Sequence, residues 1–405
     1  MPSERIDSPS GDSQLGELAL LSLIRSRAGR TAGAVLRLGI GDDCALIRPR
    51  PGEELAVTTD LSIAGRHFRL DWHPPQSVGH RALARGLSDL AAMGARPIAA
   101  FLSLGLPHEL TTVPACHPAW PRSTGRRKIS AQDGSTWMDA FLDGLFALAA
   151  AHKTPLAGGD LSESPIPIAD IVLIGSVPQE RALLRSTARP GHILYVTGAL
   201  GGAAAALARL AQLAELNRST LNRVKGTGFS PYMSAIGNAG ALAPEGSSSS
   251  ALPSHPGQPS PPLRIPRKLD ALLAPHLYPQ PRIRQGLWLV QHSAACAAID
   301  LSDGLSTDLA HLCRESGVAA EVDAALLPIH PAATFAQALH GGEDYELLFT
   351  APPEVRLPAK IAGVAIARIG RIAKPSPGQP TVTLLTPQGS QPLEPLGWQH
   401  FALKL

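Results

Sequence analysis

The sequence predicts an α/β (α+β) protein in layers, on three observations. Short aliphatic runs alternate along the chain with segments of helical period, the pattern of mixed helix and sheet layers. Glycine and proline, 38 of each in 405 residues, punctuate the boundaries between those segments. Hydrophobic residues make up 44% of the chain but aromatics only 4%, so the core must be aliphatic. A chain of this length is expected to form two or three domains, and it can bury a large core.

The elements follow in order. Leu15 to Arg27 carries leucines at helical spacing and stops before Gly29, which predicts a short amphipathic helix. Leu55 to Asp60 reads as a strand. His80 to Met93 reads as a helix with Leu83, Leu87 and Leu90 on one stripe, stopped by Gly94 and Pro97. Ile98 to Leu106 is a strand, and Trp137 to His152 is a helix with Phe141, Leu145 and Leu148 on its apolar face. Ile168 to Val177 and His192 to Thr197 are strands, the second leading through Gly198, Gly201 and Gly202 into an alanine-rich helix. Ala294 to Leu301 is a strand feeding a helix from Asp303 to Ser316.

Two segments break the pattern. Residues 111–136 are rich in Pro, Ser and basic residues, including Gly125-Arg126-Arg127-Lys128. Residues 225–262 hold seven prolines, the serine run 247–250 and a single acid, Glu245. Such composition cannot offset the entropy of ordering, so both are expected to be flexible surface insertions. A boundary is expected after Pro178, giving an N-terminal unit 1–178 and a C-terminal unit 179–405.

Charge excludes several partners. With 36 basic and 33 acidic residues the net charge is +3, too balanced for nucleic acid or an anionic membrane as main partner. No run of about 18 apolar residues spans a membrane, and Met1 to Asp12 lacks the apolar core of a signal peptide. Cys44, Cys116, Cys296 and Cys313 form no CxxC pair, which fits a reducing, cytoplasmic setting better than zinc or disulfides. GxxxxGK[ST], GxGxxG after a strand, HExxH and GxSxG are all missing, so P-loop, dinucleotide, zincin and serine-hydrolase chemistry lack their residues.

The placement of the acids is what carries information. Asp42 and Asp43 in GIGDD, Asp60 in VTTD, Asp89 in LSDLAAMG, Asp160 in AGGD, Asp300 and Asp303 in AIDLSDGL, and Glu343 and Asp344 in GGEDYE all stand at strand ends or glycine turns. Carboxylates so placed suit a hard cation such as Mg²⁺ bridging to phosphate, and glycines let backbone N–H groups approach phosphate. Each has an ordinary reading as well. Asp beside Gly is commonly a turn residue, Asp303 is a good N-cap for the helix after it, and Asp89 lies off the leucine stripe on a face that could be solvated. Asp300 is harder to dismiss, because it ends an apolar strand. Taken as a set, six segments with one pattern point to metal and phosphate chemistry.

These residues carry a resemblance. The chain resembles the thiamine-monophosphate kinase family, in the superfamily that includes aminoimidazole ribonucleotide synthetase. The likeness rests on Leu38-Gly39-Ile40-Gly41-Asp42-Asp43-Cys44-Ala45, Thr58-Thr59-Asp60, Gly65-Arg66-His67-Phe68, Leu87 to Gly94, Gly158-Gly159-Asp160 and Val196-Thr197-Gly198. It continues in Ala298 to Leu305, Gly341 to Glu346 and Gly397-Trp398-Gln399-His400-Phe401. The resemblance implies a two-domain fold of that superfamily, with N-terminal sheets pairing across a homodimer. It implies transfer of the γ-phosphoryl group of ATP, as co-substrate, to thiamine phosphate. By motif position Asp43, Thr58, Thr59, Asp60, Asp89, Asp160, Asp300 and Asp303 would form the Mg²⁺ shell, with Asp303, Asp43 and Asp60 nearest the chemistry. Gly159, Asp160, Arg185 and Ser302 would contact ATP; His67, Glu343 and Trp398 would contact thiamine phosphate. Read alone, His67 is a turn residue, Arg185 a surface arginine and Trp398 a core residue.

ATP brings about four negative charges and the acceptor phosphate about two, and unit charges 4 Å apart cost several kcal/mol at a protein-like dielectric. Several Mg²⁺, most arriving with nucleotide, are therefore expected. Two alternatives remain: another ATP-using enzyme of the superfamily, of aminoimidazole ribonucleotide synthetase or selenophosphate synthetase type, or a nucleotide-binding maturation scaffold without turnover. The selenophosphate reading wants an N-terminal Cys, and none precedes Cys44. The two insertions depart from the family pattern but remove none of these residues. The first precedes a helix that would border the adenine pocket. Leu161 and Ser162 stand where the family more often has threonine.

Overall fold

The computed structural model describes residues 17–28, 34–111, 136–225 and 270–398. Both expected insertions and the 399–401 end of the last motif fall largely or wholly outside the described residues. Among the described residues, no helix is long and apolar enough to cross a membrane.

The N-terminal part holds a four-stranded sheet. Strand β3 (Glu53–Ile63) lies at the edge, then β6 (Ile168–Pro178), β4 (Arg96–Leu106) and β5 (Leu156–Glu163). Pairing is antiparallel except between β4 and β5. Ahead of it come α1 (Glu17–Ala28) and the small ribbon of β1 (Leu36–Leu38) and β2 (Leu46–Ile47). Two helices cover one face. In α2 (Pro75–Ala92), Pro75 opens the helix, where a missing N–H costs nothing; Gly94, at φ 65°, follows its end. In α3 (Trp137–His152), Thr136 and Asp139 form a reciprocal capping box. The two helices touch backbone to backbone at glycines. A Cβ on Gly79 would stand 1.9 Å from the Phe141 carbonyl oxygen, and one on Gly144 1.8 Å from that of Gln76. Leu83, Leu87 and Leu90 of α2 are fully buried with Phe141, Leu142 and Leu145 of α3, as their spacing requires.

The C-terminal part is a larger sheet in the order β14 (Gly389–Pro392), β13 (Val382–Thr386), β9 (Ala319–Asp323), β12 (Val364–Ala373), β7 (Ile193–Thr197), β10 (Leu347–Ala351), β8 (Ala298–Asp300), with β11 (Lys360–Ile361) paired to β12. Helix α7 (Leu305–Ser316) buries Leu305, Leu309 and Leu312 in one core with Leu194, Val196, Leu348 and Ile369. Helices α4 (Gly202–Lys225), α5 (Asp270–Leu277), α6 (Ile283–Gln291) and α8 (Phe335–His340) complete it. Ala298, Leu347, Phe349 and α6 residues Leu289 and Val290 join the N-terminal core instead. Helix α2 thus sits at the seam, against β3 and β6 on one side and β8 and α6 on the other.

Three expectations are corrected. Gly158-Gly159-Asp160 lies inside β5, not in a turn, and Asp60 lies within β3, which runs on to Ile63. Gly159 is needed there because its backbone has φ 146° and a Cβ would meet the Leu102 carbonyl oxygen at 1.9 Å. The strand expected over Ala294–Leu301 is short, Ala298–Asp300. Finally, Asp303 does not cap α7: Gly304, at φ 113°, holds the N-cap position with no side-chain cap. Asp308, inside the helix, reaches back to accept 3.0 Å hydrogen bonds from the N–H groups of Asp303 and Gly304.

Candidate functional site

The acids converge on the seam. Asp300 ends β8 at 2% exposure, and its Oδ2 accepts from Ser88 Oγ of α2 at 2.7 Å. One residue further along α2, Asp89 accepts from Thr58 Oγ1 of β3. Asp60, two residues along β3 from Thr58, takes Arg85 Nε and Nη2 of α2 at 3.2 and 3.1 Å. Thr59, on the opposite and exposed face of β3, reaches Asp170 Oδ1 at 3.4 Å. The two-residue alternation of a strand and the four-residue return of a helix place Thr58, Asp60, Arg85 and Asp89 on facing surfaces.

These carboxylates crowd one another. Burial pushes Asp89 up to about 7, and the nearby charges of Asp300 and Asp60 add to it against Thr58 and Arg185. Burial likewise lifts Asp300 to about 6, against the Ser88 hydrogen bond and Arg185 and with Asp60 adding to the rise. Asp308 is pushed up to about 8 by burial, then by Asp300 and Asp303. Asp303, Asp308 and His311 form a group whose ligand atoms all lie within 4.8 Å of one another. Arg185, in the 3₁₀ turn Arg185–Thr187, is exposed but close enough to act on Asp89, Asp300 and His311. Serine 316 fixes that turn by donating to the Arg185 carbonyl at 2.6 Å.

The loop 341–346 closes over the turn 301–304. The N–H groups of Glu343 and Tyr345 donate to the carbonyls of Ser302 and Leu301 at 2.8 and 2.9 Å. The chain's last described residues return to the same turn: Trp398 N–H donates to the Asp303 carbonyl at 3.0 Å, and Gly397 N–H to Thr307 Oγ1 at 3.0 Å. Ser302, Asp303, Glu343 and Trp398 therefore meet, although they come from three distant segments. His67 is half-buried, its Nδ1 accepting from the Ile63 N–H at 3.0 Å. With Ser62, Phe68, Val78, Arg81 and Arg85 it lines a narrow cleft. A larger, open hollow lies elsewhere, between Arg181, Arg189, His192 and Cys296.

Asp43 and Asp160 are exposed, and among the described residues no hydrogen bond or ion pair joins them to this cluster. The Asp43 N–H donates to Asp42 Oδ1 at 3.0 Å, and the GIGDD turn is covered by Arg25, whose guanidinium fills the space beside Gly41. Gly159 and Asp160 face β4 at Leu102 and Ser103. Sequence reasoning overlooked Arg81, Arg85, Asp170, His276 and Asp308. For the two arginines a signal existed: Arg81, Arg85 and Asp89 recur every fourth residue along α2. For Asp308 and His276 there was none.

Comparisons with known proteins bear on this arrangement. Residues 41–177 match the family described as AIR synthase related protein, N-terminal domain. The thiamine-monophosphate kinase of Escherichia coli K12 is 34% identical over 401 residues, covering 96% of this chain and 98% of the relative. The chain belongs to the thiamine-monophosphate kinase family. Its fold is that of the family's solved members. The crystal structure of thiamine-monophosphate kinase from Stenotrophomonas maltophilia K279a aligns at TM-score 0.63 and 34% identity, over 91% of this chain and 96% of that one. AaThiL complexed with AMPPCP and TMP aligns at TM-score 0.58 and 26% identity, over 98% and 99%. As a member of the family the chain is an enzyme, a phosphotransferase of the kinase class.

Proposed function

We propose that the seam transfers the γ-phosphoryl group of ATP directly, in line, to the phosphate of thiamine phosphate, giving thiamine diphosphate and ADP. One observation carries the reading: the half-buried Asp89 and the buried Asp300 and Asp308 crowd one site, and burial, with neighbouring carboxylates adding to it, pushes their pKa values up while their hydrogen bonds come from neutral donors. Such a set of oxygen donors fits hard divalent cations. Asp43, Thr58, Thr59, Asp60, Asp89, Asp160, Asp300 and Asp303 are the residues we assign to hold several Mg²⁺. Bound there, the metal would offset phosphate charge and stabilise the moving phosphoryl group.

The chain's own groups do the rest. Arg185, beside the acids, is suited to meet ATP phosphates, with Ser302 and the Gly159 backbone alongside. His67, Glu343 and Trp398 would hold the acceptor, the indole offering its face to a cationic thiazolium at a gain of about 1–2 kcal/mol. The nucleophile is an acceptor phosphate oxygen, ionised at neutral pH, so no strong general base is required. The simultaneous presence of AMPPCP and TMP on AaThiL supports a single site for both substrates.

Further readings belong with this one. We assign a division after Pro178, the last residue of β6. We also assign a homodimer through β3, an edge strand whose Leu55, Val57 and Leu61 are exposed on one face, Val57 at 62%. A cytoplasmic setting accords with the free thiols of Cys44, Cys296 and Cys313. The test is direct: purified protein with ATP, Mg²⁺ and thiamine phosphate should yield thiamine diphosphate. ATP binding without product, or free thiamine as the better acceptor, refutes the reading.

A further inference from the structure

Behind Glu343 lies a buried polar chain that the reaction as proposed does not use. Arg81 of α2 is 5% exposed, and His73 and His276 are 2% exposed each. Arg81 Nη2 donates to Glu343 Oε1 and Arg81 Nη1 stands 3.2 Å from His276 Nε2. His276, on α5, places Nδ1 3.1 Å from Glu343 Oε2, with the N–H not aligned on the oxygen. His73 Nε2 lies 3.0 Å from His276 Nε2.

The partners decide the tautomers. His276 Nδ1 faces a carboxylate, which only accepts, so Nδ1 carries the proton. Its Nε2 is then a lone pair, able to accept from Arg81 and from His73. His73 Nε2 must therefore carry a proton, which leaves Nδ1 as the acceptor of the Arg69 N–H at 3.1 Å. The 3.2 Å approach of the same Nδ1 to the Arg69 carbonyl is then a contact without a proton. The result is one directed chain: Arg69 N–H to His73, His73 to His276, His276 to Glu343. Both imidazoles stay neutral, because burial and then Arg81 hold their pKa values down. Although burial alone would raise Glu343, Arg81, His276 and Arg85 outweigh it and keep the carboxyl well below its usual range.

We infer that His276, backed by His73 and acting beside Arg81, is a positioning residue that holds the Glu343 carboxylate in the one orientation able to meet the cationic, amine-bearing heterocycles of the acceptor. The inference rests on Glu343 being an acceptor contact, as proposed above. Three features support it. Glu343 sits at φ 66°, a left-handed position costly for this side chain and maintained only by its surroundings. The groups that hold its carboxylate, Arg81 and His276, come from α2 and α5, so the chain ties together distant segments. And the His276 N–H is buried but misaligned, so a small turn of Glu343 on meeting substrate would complete the bond. Arg81 also lines the His67 cleft, so His276 is the cleaner probe.

Steady-state kinetics of two variants tests this. In His276→Asn the amide nitrogen stands where Nδ1 stood and keeps the donor to Glu343; in His276→Gln it stands where Nε2 stood and loses it. A hydrogen bond to a charged group is worth roughly a tenfold change or more. His276→Gln should therefore raise KM for thiamine phosphate about tenfold, with kcat and KM for ATP within about twofold, while His276→Asn stays within about threefold of wild type throughout. Glu343→Gln should raise the same KM, and adding His276→Gln to it should raise it no further. Equal KM changes in the Asn and Gln variants, whether none or large, overturn the inference, as does a loss of kcat without a change of KM. Wild-type protein that forms no thiamine diphosphate would refute the proposed reaction instead.

Discussion

Replacing Asp308 by Asn separates a structural carboxylate from a crowded one. The side chain is 2% exposed and accepts from two backbone N–H groups that open α7. Asn retains an oxygen for those donors and removes the charge. In the folded protein the Asp308 carboxyl is pushed up to about 8 by burial, Asp300 and Asp303, against an ordinary value of 3.8. Between those limits the folded state binds the proton and the unfolded chain does not, so this group's contribution to stability falls as pH rises from about 4 to 8. Four pH units at about 1.4 kcal/mol each set a ceiling of roughly 6 kcal/mol. Relaxation and water entry around a buried charge remove about half of it. Only about 2.5 of those units lie above pH 5.5, so in chelator wild type should lose about 2 kcal/mol more stability than Asp308→Asn between pH 5.5 and 8.5, read by urea unfolding. Added Mg²⁺ should narrow the gap at pH 8.5. Parallel pH profiles for the two proteins would refute the assignment of Asp308 to the crowded cluster.

The other predictions concern chemistry, packing and assembly. Asp303→Asn should reduce turnover by at least about a hundredfold with an unchanged melting temperature; activity within a few-fold would leave Asp303 no place in the metal shell. Glu346 is 4% exposed, holds Arg282 through both oxygens and accepts from Thr197 Oγ1 at 2.6 Å. Glu346→Gln should cost roughly 3 kcal/mol by leaving Arg282 without its charge partner, and an unchanged urea midpoint would contradict this. Val57→Asp should convert the proposed homodimer to monomer in size-exclusion chromatography, because it puts a charge on the apolar face of β3; an unchanged elution volume refutes the β3 interface.

How much was legible follows from the range of each interaction. Helices α2 and α3 could be read from leucine spacing because their burial is set by a local period. Strands β3, β4 and β6 could be read as far as their apolar runs extended, but β3 continues through Asp60-Leu61-Ser62-Ile63, where pairing to β6 outweighs propensity. Strand β5 was hidden because Gly158-Gly159-Asp160 has turn composition, and only the tight approach to Leu102 demands glycine inside a sheet. No element was expected beyond Ser316, where the strands are short and alanine-rich or interrupted, as in Ala319–Asp323. Among the site residues, the acids were visible one motif at a time. Their meeting was not, since Ser88 with Asp300 spans 212 residues. Asp303 as a helix cap was a sound local inference, overturned because the N-cap position falls one residue later, on Gly304.

The charges at the seam sort by what compensates them. Glu343 faces Arg81, Glu346 faces Arg282, and Asp60 faces Arg85; each is an acid that the protein neutralises with its own cation. Asp344 accepts the N–H groups of Gly201 and Ala203 at the start of α4, where a helix end supplies the offset. Asp89, Asp300 and Asp308 are bonded instead to a threonine hydroxyl, a serine hydroxyl and two backbone amides. Neutral donors orient a carboxylate without cancelling its charge, so burial, with the Asp300 charge acting on both Asp89 and Asp308, drives their pKa values up. A protein with no use for that charge would be more stable with asparagine or an apolar residue at each position. Retaining ionisable acids side by side is what the proposed cation site requires, and the hydroxyls of Thr58 and Ser88 orient Asp89 and Asp300 for it.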